Sequence, residues 1–196
     1  PGFIMLVMVI SAIFAPLIAP HDPLRGGLRD SEMPPMWLEG GSSEFILGTD
    51  AVGRDMFSRI VFGARISLQI TLVVVAIGAS LGITLGIMAA WYGGHVDEII
   101  MRAVDFTLAV PFILVALVVV IVFGQSFETI IGLLAIFSWN GFARQVRADG
   151  LKIKTMDYVS LARIAGAPVS RIMLRHILPG VINTAVVVAT LRVGSL

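Results

Sequence analysis

Three stretches of this chain carry no Asp, Glu, Lys or Arg: residues 1–20, 66–94 and 106–127. About 20 apolar residues suffice for a helix to cross the roughly 30 Å hydrocarbon layer. Inside that layer each backbone N–H and C=O must find its partner within the protein, which a helix provides along its own length. The chain therefore reads as all-α, a polytopic membrane helical bundle. Composition agrees. Of 196 residues 57% are hydrophobic and 14% charged, with a mean hydropathy of +0.95, where a soluble domain carries about 25% charge.

A fourth, shorter apolar run covers 129–143, and a fifth begins at Ile177 and continues to the end of the sequence. About five spans are thus expected. The organisation is a first span at 1–20, a polar loop at 21–65, and a membrane core at 66–196 that contains a basic loop at 144–178. Residues 1–20 lack a basic leader and a small-residue cleavage site, so they read as a span and not as a signal peptide. The numbering begins at Pro1 and the chain stops inside an apolar run, which reads as part of a longer polypeptide. Without cysteine there is no thiol catalysis, disulfide or cysteine metal site.

Basic residues set the expected orientation. Segment 144–176 holds seven Lys and Arg against two acids, whereas 21–65 holds five basic against seven acidic side chains. Lys/Arg-rich loops stay cytoplasmic. With four crossings between them, the N-terminus and 144–176 are both expected in the cytoplasm, and 21–65 outside.

Individual residues raise narrower expectations. Gly78, Gly82 and Gly86 recur every four residues, with Ala90 and Gly94 continuing the row. Small residues let helix backbones approach in lipid, either as static packing or in a helix that slides within a moving bundle. Asp105 is expected to pair with Arg102, three residues earlier on a helix, or to relay protons. Arg192 falls about 20 Å along a helix starting near Pro179, where a lipid-facing guanidinium is costly. It is read as snorkelling to the outer interface, pairing with a partner subunit, or lining a path that meets an anionic solute. "LGTDAVGRDMFSRIVFGARIS" (47–67) reads as an amphipathic elbow helix capped by Thr49 or Asp50, with Asp50–Arg54 and Asp55–Arg59 pairs. Its alternative role is a docking site for an outside partner.

The segment "LARIAGAPVSRIMLRHILPG" (161–180) is broken, basic and amphipathic. Residues 155–166 form one short helix stopped at Gly166, which suits the left-handed C-terminal position. Pro168 suits the first turn of a second helix over 168–177, with Arg171 and Arg175 on one face, and Leu178-Pro179 is expected to turn the chain into the membrane. Two short helices at an angle make a knob fit for a groove in another protein, or an amphipathic patch on lipid phosphates. No phosphate-cradling G-x-x-x-x-G-K-[ST], HExxH or GxSxG occurs, and His21, His95 and His176 fall in separate loops. No catalytic apparatus, cofactor or metal site is expected, and nothing points to nucleic acid.

This knob resembles the cytoplasmic loop of ABC-importer permeases, whose pattern is EAA, three residues, Gly, nine residues, then I-x-L-P. Gly166, Leu178 and Pro179 match. Ser160, Leu161 and Ala162 stand at the EAA positions, where only the last agrees, and His176 stands at the Ile position. "LGTDAVGRDMFSRIVFGARISL" (47–68), "APLIAPHDP" (15–23), "MRAVDFTLAVP" (101–111) and "YVSLARIAGAPVSRIMLRHILP" (158–179) are similar to the C-type subunit of the dipeptide/oligopeptide/nickel subgroup. The resemblance implies the ABC type I importer permease fold, with about six spans, so that part of the fifth and a sixth lie beyond this chain. It implies a bacterial cytoplasmic-membrane subunit paired with a second, different permease subunit, two cytoplasmic ATPases and an external solute-binding protein. ATP hydrolysis would belong to the ATPases. Ser160, Leu161, Ala162, Gly166, Ala167, Pro168, Arg171, Leu178 and Pro179 would form the ATPase-coupling loop, with Ser160 departing from the family's acidic residue. The alternatives are a permease for another solute, such as nickel or a metal chelate, and an ATP-independent secondary transporter. The latter would need several ionisable groups at midplane, and only Arg192 lies deep in a span.

Overall fold

In the computed structural model, residues 2–194 are described, and they are helical with no strand among them. The chain divides into two compact units, one running to Ile70 and one from Thr71.

The first unit begins with α1 (Gly2–Ile13) and α2 (Ala15–Ile18). Pro16 falls in the first turn of α2, where its missing N–H costs no hydrogen bond. A polar segment follows, with a single 3₁₀ turn at Leu28–Asp30. Its turns are pinned by side chains: Thr49 Oγ1 accepts from the Met33 amide at 2.9 Å and donates to the Asp30 carbonyl. Isolated bridges join Gly26 to Arg54 and Thr49 to Asp55.

α3 (Met56–Tyr92) starts in this unit. The expected elbow helix over 47–67 is corrected here. Residues 50–53 form a turn, and the helix begins only at Met56 and runs on without an elbow. The cap is Asp55, not Thr49 or Asp50. Its carboxylate accepts from the Ser58 amide at 3.1 Å, the Ser58 hydroxyl at 2.6 Å and the Phe57 amide at 3.3 Å. Because Asp55 is spent on the cap, Arg59 pairs with Asp50 instead, beside Arg54 at 2.9 Å.

The second unit holds the rest of α3, α4 (Gly94–Ala109), α5 (Phe112–Phe123), α6 (Phe127–Lys154), α7 (Asp157–Ile164), α8 (Val169–Ile172) and α9 (Leu178–Val193). By length and composition α3 and the 25-residue Val169–Val193 helix can each cross a membrane, and α4 and α5, bent by 83° at their junction, are long and apolar enough only when taken together. The expected first and fourth spans are differently drawn. The apolar run at 1–20 is divided between α1 and α2, and the run at 129–143 is the first half of α6, whose second half is charged. The bend between α4 and α5 falls at Val110-Pro111, both extended. Pro111 lacks an N–H, and a residue before proline avoids the helical region.

α3 and α6 meet along the glycine row. A Cβ on Gly78 would stand 2.0 Å from Ser138 Oγ, on Gly82 2.5 Å from Phe142 Cβ, and on Gly86 2.7 Å from the Ala143 carbonyl oxygen. The roles then exchange, with Gly150 of α6 leaving room for Ala90. Two backbones this close gain dispersion contacts over several turns.

Candidate functional site

α7 is too short to stand alone and is held from one side. Val159, fully buried, joins Ile87, Trp91, Val146, Ile153, Ile172, Ile177 and Val181 in one apolar cluster, with Ala162, Ala167 and Leu178 packed against it. Trp91 lies beneath Arg163, whose guanidinium is 4.8 Å from the ring centroid. Lys154 Nζ donates to the Ala90 and Trp91 carbonyls at 3.1 and 2.6 Å, closing orphan carbonyls at the end of α3 with a charge of the favourable sign.

The α7 terminus is a complete Schellman turn. The Ala167 amide bonds the Ala162 carbonyl at 3.1 Å, the Gly166 amide bonds the Arg163 carbonyl at 3.0 Å, and Gly166 takes φ +75°. Pro168 then caps α8 in extended conformation. Away from the cluster Ser160, Leu161, Gly166, Pro168 and Arg171 are exposed, Leu161 by 65% and Ile164 by 83%. The knob thus has a fastened back and an apolar, basic-flanked front.

The expected turn into the membrane at Leu178-Pro179 is corrected. α8 passes through a π turn, Met173–Ile177, directly into α9. The Leu178 amide reaches back five residues to the Met173 carbonyl, and Pro179 has no N–H to continue the regular ladder. The widened turn absorbs the proline without breaking the helix. Arg192 therefore stands about 35 Å along a helix that starts at Val169.

The Asp105–Arg102 pairing is also corrected. Arg102 bonds Glu98 at 2.6 Å one turn earlier, and Asp105 pairs with Arg144 of α6. A second bridge from α4 to α6 escaped sequence reasoning: Arg147 engages both oxygens of Asp97 in a fork. The two residues are 50 positions apart, and no local spacing rule joins them.

The second feature of this unit is a cavity of about 430 Å³ at the α4–α5 break, lined by Val110, Pro111, Phe112, Phe137, Asn140 and Arg192 among others. Arg192 Nη2 donates to Asn140 Oδ1 at 3.1 Å, and the Gly141 amide donates to the same oxygen at 2.6 Å.

Residues 82–196, more than half of the chain, match the family model described as binding-protein-dependent transport system inner membrane component. The chain belongs to this family of transport-system membrane components. The match covers the end of α3 from Gly82, the α4–α5 break, the knob and α9.

Relatives of this transport family are similar over almost the whole chain. The dipeptide transport system permease protein of Haemophilus influenzae is 37% identical over 98% of this chain and 65% of its own length. The di/tripeptide transport system permease protein of Pseudomonas aeruginosa is 40% identical over 97% of this chain and 63% of its own. The glutathione transport system permease protein of Pectobacterium atrosepticum is 39% identical over 98% and 62%. The chain spans just under two thirds of the length of these relatives. Family and apolar helices together make it a multi-pass component of the inner membrane.

Proposed function

We propose that this chain is one of two different permease subunits of an ATP-driven bacterial importer of di- and oligopeptides. It forms half of the translocation path and couples through the α7–α8 knob to cytoplasmic ATPases. The knob carries this reading: α7 is buried along Val159 and stapled at Trp91, while Leu161 and Ile164 are left exposed at 65% and 83%. Exposed apolar side chains on a rigid, short helix suit a groove in a partner. Family membership and the peptide and glutathione permeases among its relatives support the transport class. The chain's own sequence has no phosphate-cradling loop, so hydrolysis is assigned to separate subunits, with an external binding protein delivering the solute.

The segment 21–65 faces outward and 144–176, with the knob, faces the cytoplasm, on the ground of the basic bias of 144–176. The N-terminus is then cytoplasmic. The test is reconstitution of the full-length subunit with its second permease, ATPases and binding protein. Uptake of labelled dipeptide that requires ATP is the expected result. Uptake driven by an ion gradient without ATPases would overturn it.

A further inference from the structure

The cavity at the α4–α5 break is built for one end of a solute. Its wall is largely apolar, with Val110, Pro111, Phe112 and Phe137, and its polar groups lie together. Asn140 is 4% exposed. Two donors, the Arg192 guanidinium and the Gly141 amide, converge on Asn140 Oδ1, so the oxygen of the amide must face them and the NH₂ group must face the other way. Among the described residues no acceptor meets that NH₂ group. The half-buried Arg192 lines the same cavity. So does the start of α5, where Pro111 is the N-cap and no side chain caps the helix. The Leu114 amide is taken by the Pro111 carbonyl at 3.0 Å, which leaves the Phe112 and Ile113 amides of this 12-residue helix to turn toward an anion. Broken helices that aim a positive end at the anionic group of a solute are a recurring solution inside membranes. The volume of about 430 Å³ falls in the roughly 300–1,000 Å³ range of small-ligand pockets.

We infer that this cavity is a solute subsite in which Arg192, the Asn140 amide and the uncapped start of α5 hold the free carboxylate of a peptide, with the apolar wall taking the adjoining side chain. The inference rests on the peptide-importer reading for the identity of the solute, but its carboxylate chemistry can be read without transport. The probe is alanyl-photoleucine, a dipeptide with a diazirine side chain and a free carboxylate, irradiated with the purified full importer complex in the absence of binding protein. The expected result is labelling within residues 107–142, displaced by alanyl-leucine and at least fivefold less by alanyl-leucine amide. Arg192→Ala should remove that preference, and Arg192→Lys, which keeps the charge, should restore most of it. Both variants should still co-purify with the second permease and the ATPases, which separates a lost subsite from a misassembled complex. Equal competition by the amide in the wild type, labelling confined to other segments, or an Arg192→Ala complex that keeps the preference would each overturn the inference. If the wild type labels with carboxylate preference but imports no peptide, the importer reading fails and the subsite stands. If it imports peptide without that preference, the reverse holds.

Discussion

Arg163 lies over the face of Trp91, 4.8 Å from the ring centroid, and so ties the exposed knob helix to the last turn of α3. A cation over an indole contributes on the order of 0.5–2 kcal/mol. The larger effect is geometric, because the same indole fills the buried cluster between α6, α7 and α9. Trp91→Ala is expected to destabilise the purified complex by about 3 kcal/mol, the cost typical of emptying a large aromatic site. Trp91→Phe should recover much of this. Thermal unfolding of the two variants in one detergent checks it, and equal midpoints for wild type and Trp91→Ala would refute it.

Gly166 has no heavy atom within 4 Å of where a Cβ would stand, yet its φ is +75°. Substitution there costs through backbone conformation alone, on the order of 1–2 kcal/mol for a non-glycine residue. Gly166→Leu and Gly166→Ala should therefore impair solute-stimulated ATP hydrolysis to similar degrees in the reconstituted importer, and Gly166→Asn, which tolerates the left-handed region, should impair it less. A graded loss following side-chain size would mean that contact, not conformation, sets the effect.

The glycines of α3 behave oppositely. At Gly82 a Cβ would meet Phe142 Cβ and the Trp139 carbonyl oxygen, each at 2.5 Å. Gly82→Leu should force α3 from α6 and cost at least about 1–3 kcal/mol, the range for overpacking. Gly63→Ala, in the same helix with open space around it, should be neutral or stabilising by about 0.5–1 kcal/mol. Comparing the thermal midpoints of these two variants tests whether the row is a packing seam.

Asp50 lies in the polar segment ahead of α3 and accepts from the Arg54 and Val52 amides at 2.9 and 3.0 Å. Those hydrogen bonds, that from Arg54 foremost, hold its carboxyl below the usual carboxylate range. A group with a lowered folded pKa stabilises at pH above its unfolded value, near 4, and loses that contribution as pH falls through the folded value. Amide exchange at Val52 and Arg54, corrected for its intrinsic pH dependence, should stay slow down to about pH 4 and accelerate below it. Asp50→Asn should show fast exchange at neutral pH. Protection that is flat down to acid pH would contradict the assignment.

Topology can be read with single cysteines, since the chain has none. Ser43 and Ser170 are both exposed positions. An impermeant thiol reagent should modify Ser43→Cys in intact cells and Ser170→Cys only in inverted vesicles. The opposite pattern would invert the chain in the membrane.

The helices were legible where one residue type dominates locally. Uncharged runs announced α3 and α5, and Gly166 announced the end of α7. What stayed hidden depends on competition between partners distant in sequence. Asp55 and Arg59 have ideal helical spacing, but the carboxylate is worth more to the unpaired amides at the start of α3, and it leaves Arg59 to Asp50. Asp105 likewise reaches Arg144 and not Arg102, because Glu98 takes Arg102 on the same helix. Pro179 misled for another reason. A proline is read as a stop when only the regular four-residue ladder is considered, and a single wider turn removes the conflict.

That wider turn has a mechanical consequence. Because α8, the π turn and α9 run on as one 25-residue helix, Val169 in the second half of the knob and Arg192 stand about 35 Å apart on a single lever. A hinged loop would dissipate a push in its own joint. A continuous helix delivers it as torque, so that any twist imposed at Val169 turns the guanidinium of Arg192 within the cavity wall.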